Sequence, residues 1–119
     1  MKIDEETNKK IEELQFLEQH TQHLLAQKQS IQIELNEANN ALVELERTKD
    51  EVYKIFSGIM IKSDKEILIK EIKERKKILE MRFDSVDKQS ILIQRKEEEL
   101  SKEINKTLSD NSGKASNKN

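Results

Sequence analysis

Apolar residues in the first half of the chain recur at alternating spacings of three and four. With Leu35 and Leu42 at heptad position a, most of the others fall at position d. These d residues are Leu17, Leu24, Ile31, Ala38, Leu45 and Val52. A register kept over about five heptads is typical of a coiled coil rather than of an ordinary amphipathic helix. We therefore predict a first helix over residues 4–51.

A second heptad run follows between residues 64 and 108. Its a positions hold Ile69, Phe83 and Ile104, and its d positions hold Ile72, Leu79, Val86, Ile93 and Leu100. Just before this run, Ser63 and Glu66 have the spacing of a capping box, in which a serine begins the helix. We predict a second helix over residues 64–108 with Ser63 as its N-cap.

The segment between the two runs, residues 53–62, is rich in β-branched and aromatic residues around Gly58. Two short strands joined by Ser57 and Gly58 fit a tight β-hairpin, because Gly58 can supply the positive φ that such a turn needs. The type of turn stays open, since serine is a poorer first turn residue than asparagine. A plain loop between the helices is the alternative.

This hairpin cannot bury its own apolar side chains, and isolated two-stranded hairpins are marginally stable in water. Its strand edges also leave backbone donors and acceptors unpaired. Pairing with hairpins of other subunits would remove both faults, so we predict an oligomer assembled through the hairpin. The predicted assembly residues are Tyr53, Ile55, Phe56, Gly58, Ile59, Met60 and Ile61.

A short connector makes the two helices antiparallel neighbours. The hairpin length then sets the layers of the seam near it, which are Leu45/Ile69, Leu42/Ile72, Ala38/Lys76, Leu35/Leu79 and Ile31/Phe83. Beyond Ile31 each layer contains a polar member, namely Lys28, Ser90, Thr21 or Glu97. Polar seam residues cost stability, so we infer that the far ends of the helices can separate, which would make apolar residues there partly available to another chain. Phe16 falls at an outward position in this register.

The domain organisation follows from these segments. Residues 1–108 form a single coiled-coil and hairpin domain, and residues 109–119 are a polar tail with little to bury. Such a composition predicts disorder in the tail.

Composition narrows the fold and the partners. Two glycines and no proline cannot supply the turns of a β-sandwich, a barrel or a doubly wound α/β fold. The 22 Lys and Arg are mixed with 24 Asp and Glu, so there is no basic stripe for nucleic acid. No apolar stretch is long enough for a membrane and the N-terminus is not a signal peptide, so we expect a cytoplasmic protein.

Candidate chemistry is sparse. The chain has no cysteine, and its two histidines, His20 and His23, share a helical face near Glu18 and Gln27. A metal site there is conceivable, but a third strong ligand in a formed pocket is missing, so a solvated surface is the preferred interpretation. Glutamates on a two-helix coiled coil have no concave pocket in which to become catalytic. We expect neither an enzyme nor a cofactor.

Several segments resemble one known family. They are Gln27-Lys28-Gln29, Ala41-Leu42-Val43-Glu44-Leu45-Glu46, Val52-Tyr53-Lys54, Gly58, Ile61-Lys62, Glu80-Met81-Arg82 and Lys96-Glu97-Glu98-Glu99-Leu100. In this order and between two equal helices they resemble the archaeal-type beta class of prefoldin subunits. The single hairpin favours the beta class, because alpha-class subunits carry two. Ser57 departs from the family, where an apolar residue is expected before the hairpin glycine.

The resemblance implies a mainly α fold and a heterohexamer of two alpha-class and four beta-class subunits. The hairpins would form a double β-barrel platform, and the helix tips would hold unfolded polypeptides without ATP and pass them to a group II chaperonin. Carried over by position, the client-binding residues are Ile11, Leu14, Phe16, Leu17, Leu100, Ile104 and Leu108. The alternative is a structural or adaptor coiled coil without holding activity.

Overall fold

A computed structural model describes residues 4–117 of the chain, with side chains up to residue 110. The order of elements is α1 (Glu5–Arg47), β1 (Val52–Phe56), β2 (Ile59–Ser63) and α2 (Lys65–Asn117). Two long antiparallel helices joined by a β-hairpin confirm the predicted fold class. Within residues 4–117, no helix combines the length and the apolar character needed to cross a membrane.

Helix α1 begins at a capping aspartate. Asp4 Oδ1 accepts a hydrogen bond from Thr7 N at 2.7 Å, and Asp4 O accepts one from Asn8 N at 3.0 Å. The carboxylates of Glu5 and Glu6 lie in the first turn, where the helix dipole favours negative charge. The predicted start of this helix is therefore correct to within one residue.

Helix α1 ends at Arg47 rather than at the predicted residue 51. Thr48 N still donates to Glu44 O at 2.9 Å, but Thr48 Oγ1 accepts a bond from Asp50 N at 3.2 Å. A threonine side chain that bonds nearby backbone competes with helix continuation. The chain must also be extended by Val52, because that residue already pairs with Ser63 in the hairpin.

The N-cap of α2 is Asp64, so the predicted capping box at Ser63 is wrong. Asp64 Oδ1 accepts bonds from Glu66 N at 2.8 Å and from Ile67 N at 3.3 Å. Ser63 instead ends β2, where it lies opposite Val52. Ser63 cannot cap the helix because it is paired in the strand. The adjacent Asp64 caps the helix instead, and aspartate is as good an N-cap as serine.

Helix α2 continues to Asn117, whereas the prediction ended it at residue 108 and made residues 109–119 a disordered tail. The difference has a physical reason. The segment contains no proline, and its single glycine, Gly113, costs a helix only about 1 kcal/mol relative to alanine. A helix already nucleated gains one hydrogen bond for each residue added. The last two residues, 118–119, lie outside the described part.

The hairpin turn is of type I′. Ser57 has φ of 50° and Gly58 has φ of 78°, so both central residues are left-handed. The strands pair in the register Val52↔Ser63, Tyr53↔Lys62, Lys54↔Ile61, Ile55↔Met60 and Phe56↔Ile59. This result confirms the hairpin over the loop and decides the turn type that the sequence left open.

The described residues form two compact units. The hairpin unit is Gln27–Ser85, and the distal unit is residues 4–26 together with residues 86–117. The single-domain organisation stays a prediction. Within each unit, the predicted a and d positions are the buried or half-buried ones, so the heptad register is confirmed. Leu35 and Leu79 are buried in the hairpin unit, and Leu24 and Ile104 in the distal unit.

The left-handed backbone conformation of Ser57 leads to a prediction about the stability of the fold. A non-glycine residue in this region costs about 1–2 kcal/mol, and asparagine tolerates it better than serine. We expect Ser57→Asn to raise the free energy of unfolding by about 0.5–1 kcal/mol and Ser57→Val to lower it by about 1 kcal/mol. Urea unfolding followed by circular dichroism at one fixed protein concentration measures both. Ser30→Asn, on an exposed part of α1, is the control and should leave stability within about 0.5 kcal/mol.

Candidate functional site

The hairpin presents apolar side chains on both of its faces. Alternation along the strands places Phe56, Ile59 and Ile61 on one face. Tyr53, Ile55 and Met60 lie on the other face. All six are exposed, with Ile55 reaching 72% and Ile59 63%. A hairpin that packed only on its own helices would need one apolar face. The second apolar face of this hairpin would be buried only by contact with another chain.

Polar contacts lie at the base of the hairpin, and one of them, Lys54 with Glu71, links a strand to a helix. Glu51 accepts hydrogen bonds from Lys62 Nζ at 3.0 Å and from the Tyr53 hydroxyl at 2.9 Å, and these bonds lower the pKa of the Glu51 carboxyl. Lys54 Nζ forms an ion pair with Glu71 Oε2 at 3.0 Å. Lys65 Nζ donates to Thr48 O at 3.0 Å, and this bond satisfies a carbonyl beyond the end of α1.

A groove of about 530 Å³ lies beside β1 in the hairpin unit. Its lining residues are Ala41, Glu44, Leu45, Thr48, Val52, Tyr53, Lys54, Leu68, Glu71 and Ile72. Leu68 is buried although it occupies heptad position g and not one of the seam positions a and d, so the heptad pattern does not predict its burial. The signal that could have found it is an apolar residue directly before the a-position Ile69.

Charged seam residues of the hairpin unit each have a specific contact. Lys28 Nζ lies 5.3 Å from the centroid of the Phe83 ring, a cation–π distance. The register places Phe83 opposite Ile31, so this contact reaches into the next layer. Lys76 is half-buried with Nζ 4.0 Å from Glu80 Oε1, so its stem packs in the seam while its charge points outwards.

The seam of the distal unit is closed, and the inferred ability of its helices to separate stays a prediction. Leu17, Leu24 and Ile104 are buried, Leu24 with only 2% exposure. Thr21 Oγ1 donates a hydrogen bond to Glu97 Oε1, so two polar seam residues satisfy each other across the helices. Every buried side-chain nitrogen and oxygen in the described residues has a partner. Polar seam positions therefore do not by themselves open this unit.

The predicted client-binding residues differ in accessibility. Phe16 is 66% exposed, whereas Leu17 and Ile104 are buried in the closed seam. The half-buried members are Ile11, Leu14, Leu100 and Leu108. Leu14 lines a groove of about 350 Å³ whose other residues are Glu18, Glu97, Glu98, Ser101 and Lys102. Client binding by this set stays a prediction, and only Phe16 offers a largely exposed side chain.

The histidine pair belongs to the same part of α1. The His20 ring packs edge-on against Phe16, with 6.4 Å between the ring centroids. In the part of the chain that the structure describes, no three His, Cys, Asp or Glu residues cluster so that they could hold a metal ion. The geometry gives His20 a packing contact with an aromatic ring.

Two antiparallel helices joined by a hairpin that is apolar on both faces define a class of hairpin-linked coiled-coil proteins. The family model described as "Prefoldin subunit" matches residues 8–111. A prefoldin subunit beta of Sulfurisphaera tokodaii is 37% identical over 109 residues, covering 90% of this chain and 87% of the relative. One of Methanothrix thermoacetophila is 38% identical over 98 residues, covering 81% and 82%.

The structural comparison agrees. The crystal structure of the prefoldin beta subunit from Thermococcus strain KS-1 superposes with a TM-score of 0.82 at 30% identity, covering 90% of this chain and 96% of that one. The chain belongs to the prefoldin subunit family, in its archaeal-type beta class. Membership of this family gives it a chaperone-type function.

The Asp4 cap in the distal unit predicts a pH response. Hydrogen bonds from the side chain and backbone of Thr7 hold the pKa of the Asp4 carboxyl below its ordinary value of 3.8. A group with a lowered folded-state pKa stabilises the helix above the unfolded-state value and loses this effect as the pH falls through the folded-state value. We therefore expect the Thr7 amide proton to shift in NMR spectra only below about pH 4, as the cap is protonated.

Asp4→Asn is the matched variant, because asparagine caps a helix without titrating. Its Thr7 amide should keep a constant chemical shift over the same pH range. An equal titration of that amide in the variant would show that another group, and not the Asp4 cap, responds to pH.

Proposed function

We propose that this chain is one of the beta-class subunits of a heterohexamer with two alpha-class subunits. The assembled particle holds unfolded polypeptides without ATP and transfers them to a group II chaperonin in the cytoplasm. The observation that carries the proposal is the hairpin, whose two apolar faces are exposed in the single chain. The family match over residues 8–111 supports the same interpretation.

Assembly follows from the physics of the hairpin. The outer edges of β1 and β2 carry unpaired backbone groups, and strands of neighbouring subunits can pair with them. A closed barrel of such hairpins removes all edges and buries one apolar face inside it. The ion pair of Lys54 with Glu71 links β1 to α2, so a barrel of hairpins would also orient the coiled coils.

Client holding is assigned to the distal unit. Phe16 offers an exposed aromatic side chain there, and the four beta-class subunits of one particle would bind an unfolded chain at several points. Several weak contacts gain avidity while each remains reversible, which suits a chaperone that must release its client. Leu17 and Ile104 would contribute only when the seam opens, because both are buried when it is closed.

Independence from ATP agrees with the composition. A chain with two glycines, one in the hairpin turn and one near the C-terminus, has no glycine-rich loop to cradle phosphates. Release of the client would therefore depend on competition from the chaperonin rather than on hydrolysis within this subunit.

A structural or adaptor role without holding activity is the second candidate. The observation that favours it is the closed distal seam, which buries two of the predicted client residues. The two candidates differ in whether the assembled particle delays the aggregation of an unfolded protein.

Charged substitutions in the hairpin are predicted to prevent assembly. Ile55→Asp combined with Phe56→Asp places a charge on each face of the hairpin, and burying either charge without a partner is unfavourable. We expect the mixed hexamer with an alpha-type partner to be lost, as measured by light scattering after size-exclusion chromatography. Ile33→Asp is the control, because Ile33 is an exposed apolar residue on α1, and this variant should assemble normally. Assembly of the double variant would overturn the hairpin platform.

Removing the exposed aromatic side chain of the distal unit is predicted to lower the holding activity. Phe16→Ser in the assembled hexamer should shorten the delay that the hexamer imposes on the aggregation of a chemically denatured protein. Met81→Ser removes an apolar side chain of similar exposure from α2 of the hairpin unit, so it is the matched control. Both changes are at exposed sites and should alter stability by no more than about 0.5 kcal/mol.

The activity of the Phe16→Ser hexamer is compared with that of the Met81→Ser hexamer and of the wild type. Equal activity of Phe16→Ser and wild type, together with equal activity after truncation of both distal helix ends, would contradict client binding at this site. A hexamer that never delays aggregation would favour the adaptor role.

A further inference from the structure

The groove beside β1 has no role in the platform described above, and its position relative to the free strand edge is specific. In a two-residue hairpin, the residues flanking the turn, Phe56 and Ile59, exchange both backbone hydrogen bonds. Bonding then alternates along the strands, so the N–H and C=O groups of Ile55 and Tyr53 point away from β2. The groove is lined by Val52, Tyr53 and Lys54, so it lies alongside this free edge.

The lining of the groove is apolar, with charge at its rim. Ala41, Leu45, Leu68 and Ile72 contribute apolar side chains from the two helices. Its volume of about 530 Å³ is within the range of about 300–1,000 Å³ that is usual for binding pockets. Ala41 is half-buried and its small side chain leaves the groove open.

The charged residues at the rim of the groove indicate which side chains an occupant would place beside them. Lys54 is already paired with Glu71 at 3.0 Å, while the rim carries a second carboxylate, Glu44. The rim therefore has a net negative charge, which a basic residue on the occupant would neutralise. The hairpin of this chain has side chains of this kind, because Lys62 and the apolar Met60 lie two residues apart on the same face of β2.

We infer that the groove is a docking pocket for the hairpin of the neighbouring subunit whose strand pairs with the free edge of β1. One apolar side chain of that strand enters between Ala41, Leu68 and Ile72, and a basic side chain two residues along the strand, on the same face, lies against Glu44. A strand satisfies the unpaired backbone groups of Tyr53 and Ile55, which a small apolar molecule cannot do. The inference rests on the proposed assembly and extends it from the hairpin to the helices.

The pocket gives β1 a means of choosing its neighbour. Backbone pairing at a strand edge carries little sequence information, whereas a pocket for an alternate side chain supplies specificity. The order of subunits around the platform would then depend on which hairpin offers a side chain that fits the groove.

The absence of cysteine from the chain allows a direct test. Ala41→Cys places one thiol in the groove with a minimal change of volume, and Ala26→Cys places one on an exposed part of α1 in the distal unit. Maleimide labelling is measured by mass spectrometry for the free subunit and for the hexamer formed with a cysteine-free alpha-type partner. We expect assembly to slow labelling at position 41 by about tenfold, because binding pockets bury about 70–90% of their occupants. Labelling at position 26 should not change.

A groove-filling variant supplies a second readout. Ala41→Phe should lower the yield of mixed hexamer while circular dichroism of the free subunit stays as in wild type, and Ala26→Phe should assemble normally. Equal labelling at position 41 before and after assembly, or normal assembly of Ala41→Phe, would overturn the docking pocket while leaving the platform intact. Failure of the wild-type chain to form a mixed hexamer would instead reject the proposed function itself.

Discussion

The reversal of the chain at Ser57 and Gly58 is the constraint on which the other features depend. A turn of two residues with positive φ at both leaves one register for the strands, from Phe56 and Ile59 back to Val52 and Ser63. Because α1 ends and α2 begins within a few residues of this pairing, the strand register also sets which heptad layers face each other. A slip of one residue would turn each strand's side chains to the opposite face.

The hairpin also explains why this fold is incomplete as a single chain. Two long helices bury their a and d residues in each other, so the helical seam needs no partner. In the described part of the chain, apolar residues of the hairpin are exposed on both of its faces. The segment that stabilises the helices is therefore different from the segment to which the proposed assembly is assigned.

The heptad positions, the hairpin and its exposed apolar residues could be predicted from the sequence because each depends on local periodicity or on one glycine. Predictions failed where two local preferences competed. Ser63 and Asp64 are both good caps, and strand pairing of Ser63 decided between them. The bond between Thr21 and Glu97 across the polar layers of the distal unit was not predicted either, because it joins residues far apart in the sequence. Leu68 was missed because it lies at position g, outside the a and d pattern.

The type and order of the elements follow from local patterns, since a 3,4 periodicity without proline allows long helices and a single β-rich segment allows one reversal. The apolar character of the hairpin is local in the same sense. How polar side chains are satisfied and where a groove opens depend instead on atoms brought together from residues far apart in the chain, so no local pattern predicts them. The division between exposed Phe16 and buried Leu17 is of this kind: the two are neighbours in sequence, and the packing of α2 on one side of α1 separates them.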